Sequence, residues 1–113
     1  MCTAKATDVM KMLAYLFMQQ GMPERAIPLY AALNAHEPGR LNHLRAMAVA
    51  YSRTGRHEQT LEALDQLAMA GGVDMRFHLL RAQTLGQLGR ADEASASMRA
   101  YVDALQTESE VGQ

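Results

Sequence analysis

The chain has no tryptophan, one cysteine, three prolines and only 5% aromatic residues. A lone cysteine, Cys2, cannot close an intrachain disulfide, so a disulfide scaffold is excluded and the usage fits a reducing cytoplasm. Prolines at positions 23, 28 and 38 leave the rest of the chain free to form helices. No apolar run approaches the ~20 residues a membrane-spanning helix needs. The start, Met1-Cys2-Thr3-Ala4-Lys5, lacks the charged, apolar and small-residue order of a secretory leader. Neither sign of charge dominates: the formal net charge is −1 over 113 residues, which provides no electrostatic footprint for nucleic acid or an anionic membrane. With 49% hydrophobic and 20% charged residues, the composition is that of one folded domain.

Chemistry-bearing constellations are equally scarce. His36, His43, His57 and His78 form no HExxH motif and no i, i+4 pair, so they read as surface or partly packed residues. Cys2 has no histidine or cysteine at ligand spacing, which argues against a metal site. Glu58, Glu62 and Asp65 read as a solvated helix face, and Glu24 and Arg25 as first-turn charges. Nothing here assembles an acid/base pair, a nucleophile or a phosphate loop. The expectation is a protein that is not an enzyme and needs no cofactor.

What the sequence does have is a period. Gly21, Gly55 and Gly89 are spaced by 34 residues. Ala14, Ala48 and Ala82 lie seven residues before them, Ala26, Thr60 and Ala94 five after, and Tyr30, Leu64 and Met98 nine after. A 34-residue period with small residues at fixed offsets is the signature of the tetratricopeptide repeat (TPR). Apolar residues recur every three or four positions, which predicts helices throughout. The expected fold is all-α, with three tandem helix-turn-helix repeats (about 7–40, 41–74 and 75–106) in a short right-handed solenoid with a concave groove. Residues 1–106 form one domain in this reading, and 107–113 a polar, frayed C-terminal tail.

Each repeat follows one plan. Its first helix should bury Met10, Leu13, Ala14 and Phe17 in repeat one, Leu44, Met47, Ala48 and Tyr51 in repeat two, and Phe77, Ala82, Leu85 and Leu88 in repeat three. A glycine ends that helix by entering the left-handed conformation. The second helix should bury Ala26, Ile27, Tyr30 and Leu33, then Leu61, Leu64 and Leu67, then Ala94, Met98, Tyr101, Val102 and Leu105. Small side chains at the crossings let the paired helices approach. Pro28 should kink its helix, and Gly71-Gly72 should make a freely bending junction between repeats two and three.

Function is read from the first helix of each repeat, which lines the groove in TPR proteins. The groove residues expected here are Asp8, Lys11, Tyr15 and Met18, then Asn42, Arg45, Val49 and Ser52, then Arg76, Leu79 and Gln83. Polar at the edges and apolar in the middle, this lining suits an amphipathic or extended peptide. From Val9 to Met18 only Lys11 is charged, so Met12, Tyr15, Leu16 and Met18 call for a cover: a partner, a self-packed segment or a homodimer contact. Met12, Met18 and Met22, unlike Met10, Met47 and Met98, fall off the core positions and add an adaptable surface. Three repeats without a seventh, capping helix predict a marginal, self-associating or partner-held chain.

A TPR clamp for a chaperone's C-terminal carboxylates needs five polar positions. Lys11 and Arg76 match it in charge, but Tyr15, Ala46 and Leu80 occupy the other three, so that use is rejected. Closer matches are Gln20-Gly21 with Glu24-Arg25-Ala26, then Ala32-Leu33, Pro38, Leu41, Arg45, Ala50 and Gly55. Leu80-Arg81-Ala82-Gln83, Gly89, Asp92, Ala94 and Tyr101 continue the match. On these residues the chain resembles the small TPR chaperones of bacterial type III secretion, of the YscY type. The resemblance implies a cytoplasmic bacterial chaperone without ATPase activity, bound as a heterodimer to a small secreted component (YscX-like) and engaging the export gate. A homodimer without client, and a generic TPR adaptor or needle-subunit co-chaperone, are the alternatives. No nucleic acid and no membrane insertion are expected.

Overall fold

Six α-helices follow one another, with no strand among the described residues, 4–111 of this computed structural model: α1 (Ala4–Gln19), α2 (Pro23–His36), α3 (Leu41–Arg53), α4 (His57–Met69), α5 (Met75–Gln87) and α6 (Ala91–Val111). They pack as successive antiparallel hairpins, α1 with α2, α3 with α4 and α5 with α6, each pair leaning on the next through α2–α3 and α4–α5. The radius of gyration is 15.2 Å, against ~13 Å for a compact domain of this length, as a stacked array requires.

The 34-spaced glycines do what their chemistry predicts. Gly21, Gly55 and Gly89 have φ of 73°, 74° and 75°. Each donates its N–H to the carbonyl three residues back, and the following residue donates to the carbonyl five back, as Met22 does to Phe17 at 2.8 Å. These paired bonds satisfy carbonyls that a helix end otherwise leaves open.

Small residues then set the crossings. Ala14, Ala26, Ala48 and Thr60 have no exposed surface, and Ala82 is buried with them. Thr60 donates its hydroxyl to the Arg56 carbonyl at 3.0 Å, which lets a polar side chain take an alanine's place. Around the crossings, Leu33, Leu44, Leu64, Leu67 and Leu85 form the fully buried leucine core. Pro28 lies within α2, which continues as one helix through it despite the lost N–H.

The structure corrects several expectations. Gly71-Gly72 is no free hinge. Gly71, at φ 88°, closes α4 with the same bond pair as the other three turns, and Gly72 is buried against Leu67 and Leu41. Asp74 then caps α5 by accepting the Phe77 N–H at 2.9 Å. Leu13, Met98, Val102 and Leu105, expected in the core, are exposed, because they lie on the outer faces of the first and last helices. His43, expected at the surface or partly packed, is buried. α6 runs on to Val111, five residues into the polar segment expected to fray, while Cys2 and residues 112–113 lie outside the described residues.

Candidate protein-binding groove

The inner sides of α3 and α5 face a common hollow of about 380 Å³, closed at one end by Met18 and Gln19 of α1. Beneath it lie core side chains, Tyr30 of α2 and Leu64 and Leu67 of α4, all buried. Ala46, Ala48 and Val49 form one wall, and Phe77, Leu79 and Leu80 the other. The rim is polar and cationic: Arg45, Arg53 and Arg76 stand there with Gln19 and Gln83, and no acidic residue joins the lining. The volume falls in the range of ligand sites, about 300–1,000 Å³.

Arg45 has two roles. Its Nη2 donates to Asp74 Oδ2 at 3.0 Å and to the Gly72 carbonyl at 3.4 Å, tying α3 to the segment that starts α5. Arg76 lies 3.7 Å from the same carboxylate but is largely exposed, so its charge stays available at the mouth. The α3–α5 spacing is therefore braced by an ion pair rather than left to side-chain packing alone. Beneath the hollow, burial pushes the Tyr30 hydroxyl pKa above the ordinary tyrosine range.

Six of the residues expected to bind, Met18, Arg45, Val49, Arg76, Leu79 and Gln83, meet in this hollow. Lys11 and Asn42 line a separate cavity of about 510 Å³ at the start of α3, with Arg40 and His43. Burial, then the charge of Lys11, lowers the His43 pKa. Ser52 lines a smaller recess beside His57, Gln83 and Gln87. Asp8, Met12, Tyr15 and Leu16 are exposed on α1 and line none of these. Tyr30, Leu64, Leu67 and Phe77, expected in the core from their helical spacing, are buried there, directly beneath the hollow. Arg53 was legible in principle, since it lies four residues beyond Val49 on the same helix face.

Among the described residues no helix is long and apolar enough to cross a membrane, and no cluster of His, Cys, Asp and Glu could hold a metal ion. The fold is that of known helical-repeat binders. SycD, the type III secretion translocator chaperone of Yersinia enterocolitica, superposes with a TM-score of 0.79 at 17% identity, over 91% of this chain and 77% of SycD. The second TPR of Spaghetti (RPAP3), bound to the HSP90 peptide SRMEEVD, gives 0.78 at 20% identity, over 87% of this chain and 91% of that one. Compared by sequence with curated proteins, the chain matches none. Residues 17–84 match the tetratricopeptide repeat family. Arrays of this kind are non-enzymatic scaffolds that hold other polypeptides. With its repeating glycine-closed hairpins, its small-residue crossings and this match over more than half its length, the chain belongs to the tetratricopeptide repeat family.

Proposed function

We propose that this protein is a cytoplasmic bacterial chaperone of the YscY type, which shelters a small secreted component of a type III export apparatus in its groove. The observation that carries the reading is the apolar lining of the hollow, where Met18, Ala46, Val49, Leu79 and Leu80 are only half-buried by the chain's own residues. A free client with apolar helices would aggregate. Laying two or three apolar anchors on Met18, Val49, Leu79 and Leu80 would bury each for about 1.5–3 kcal/mol before ordering costs. No nucleotide and no covalent step are needed. The cationic rim favours acidic residues flanking those anchors. Ala46 and Leu80 make the walls apolar where a carboxylate clamp needs polar groups, so a carboxylate-led peptide such as the SRMEEVD bound by the RPAP3 repeat is disfavoured. The likeness to SycD supports the secretion setting, and the client's identity and contact with the export gate belong to the same proposal. A general adaptor, or a co-chaperone of a needle subunit, is the other reading.

Co-expression with each small neighbouring open reading frame, followed by size-exclusion chromatography, tests for the client. Val49→Asp and Leu79→Asp should abolish co-elution while the circular dichroism spectrum stays unchanged. Equal loss of binding and helix content would make these positions core rather than contact. Stable co-elution of either variant would remove the groove from the mechanism.

A further inference from the structure

The two ends of the array carry apolar faces that the interior buries. On α1, Val9, Leu13 and Leu16 are 52%, 42% and 43% exposed. Shifted by 34 residues they become His43, Met47 and Ala50 of α3, which are 6%, 8% and 0% exposed because α2 packs against α3. On α6, Met98 is 41% exposed, while its counterparts Leu64 and Tyr30 are 1% and 9% exposed. Val102 and Leu105 continue the α6 face at 42% and 44%. The α1 face is thus one that receives the second helix of a preceding hairpin, and the α6 face is one that offers such a helix.

Charge follows the same alternation. The first helices are cationic: α3 and α5 each hold two arginines and no acid, and α1 has two lysines against one aspartate. The second helices turn acidic along the chain. α2 is balanced, α4 holds three acidic residues and no lysine or arginine, and α6 holds five acidic residues against one arginine. Apposing α6 to α1 repeats the acidic-on-basic pairing of α4 on α5. Helix lengths agree as well. α6 has 21 residues and α1 has 16, where α3, α4 and α5 have 13 each. A second helix ends where the next first helix begins, so both extensions fall at the same end of such a contact. Glu108, near the end of α6, would lie toward the positive N-terminal end of α1.

We propose that α6 of one molecule docks on α1 of a second copy, continuing the internal α2–α3 and α4–α5 stacking across the molecular boundary. The contact is heterologous, so it leaves one free α1 and one free α6 on every assembly and grows head to tail unless it closes into a ring. It uses the ends of the array, not the groove, and stands or falls independently of client capture.

The test is sedimentation velocity on the purified full chain and on two variants. Leu13→Glu blocks the α1 face and Val102→Glu blocks the α6 face. Both positions are already exposed, and unchanged circular dichroism confirms folding; Leu16→Glu and Leu105→Glu replace any variant that unfolds. The wild type should grow in mass with concentration. Each variant alone should be a monomer, and their equimolar mixture should recover a two-chain species through the intact pair of faces. A wild type that stays monomeric at every concentration overturns the proposal. So does a closed dimer lost in Leu13→Glu, kept in Val102→Glu and not restored by mixing, which would mean α1 pairs with α1.

Discussion

Gly72→Ala isolates the junction that sets α5 against α3. A Cβ built at Gly72 would overlap Leu67 Cδ1, lie 2.8 Å from Leu67 Cγ and lie 3.0 Å from Leu41 Cδ2. Leu67 is 2% exposed and locked in the leucine core, so it has no room to withdraw. Overpacking of this kind costs about 1–3 kcal/mol. For 113 residues, each kcal/mol moves the melting temperature by roughly 4 °C, so the drop should be about 4–12 °C. The opposing effect is small: alanine restricts the unfolded chain and would stabilise an unstrained site by about 0.4–1 kcal/mol. Gly71→Ala is the companion experiment. A Cβ there meets open space, but φ is 88°, so the cost is backbone strain of about 1–2 kcal/mol with no effect on Leu67. Thermal melts followed by far-ultraviolet circular dichroism give both values, and client co-elution shows whether the groove follows the junction. An unchanged or raised melting temperature for Gly72→Ala would refute the close packing on which the account depends.

Asp74→Ala removes the α5 cap and the partner of Arg45 together. A loss of at least about 1 kcal/mol in urea denaturation is expected, and Asp74→Asn, which can still cap, should lose less; equal stability for all three chains would show that neither contact matters. His43 supplies a pH dependence. Burial first, then Lys11 and Arg40, opposed by Glu37, hold its pKa below the ordinary 6.5. Below pH 6.5 the unfolded chain takes up a proton that the native imidazole refuses, so stability present above that pH falls as pH drops toward the native value. His43→Gln should flatten the melting-temperature profile between about pH 7 and pH 5.5, and a slope equal to the wild type's would assign the effect to other groups.

Helix order is legible in the sequence because each device is local. A glycine at φ near 75° and an alanine at a crossing recur at fixed offsets, and each acts on its own turn or hairpin. The junction after α4 is harder to read. Gly71-Gly72 looks loose from composition, yet the side chains that trap Gly72 come from Leu67 and, distantly, Leu41. Arg45 reads as a groove residue, but its brace to Asp74 spans 29 positions that no helical period links. Tyr30 and Leu64 satisfy the core pattern and are buried as it predicts, so the hollow that opens in front of them leaves no mark on it. Leu13 and Met98 mislead in the other direction: their periodicity marks a face for burial, and none of the described helices packs over it.

Arg45 is at once a strut of the scaffold and part of the surface offered to a guest. A guest carboxylate that took Nη2 would displace Asp74 and loosen the hold of α3 on α5. A guest that touches only the apolar walls leaves the strut engaged. The array therefore tells its rim charges apart: acid met by Arg53 or Arg76 costs the scaffold little, and acid that takes Arg45 from Asp74 is admitted at the expense of the shape that would grip it.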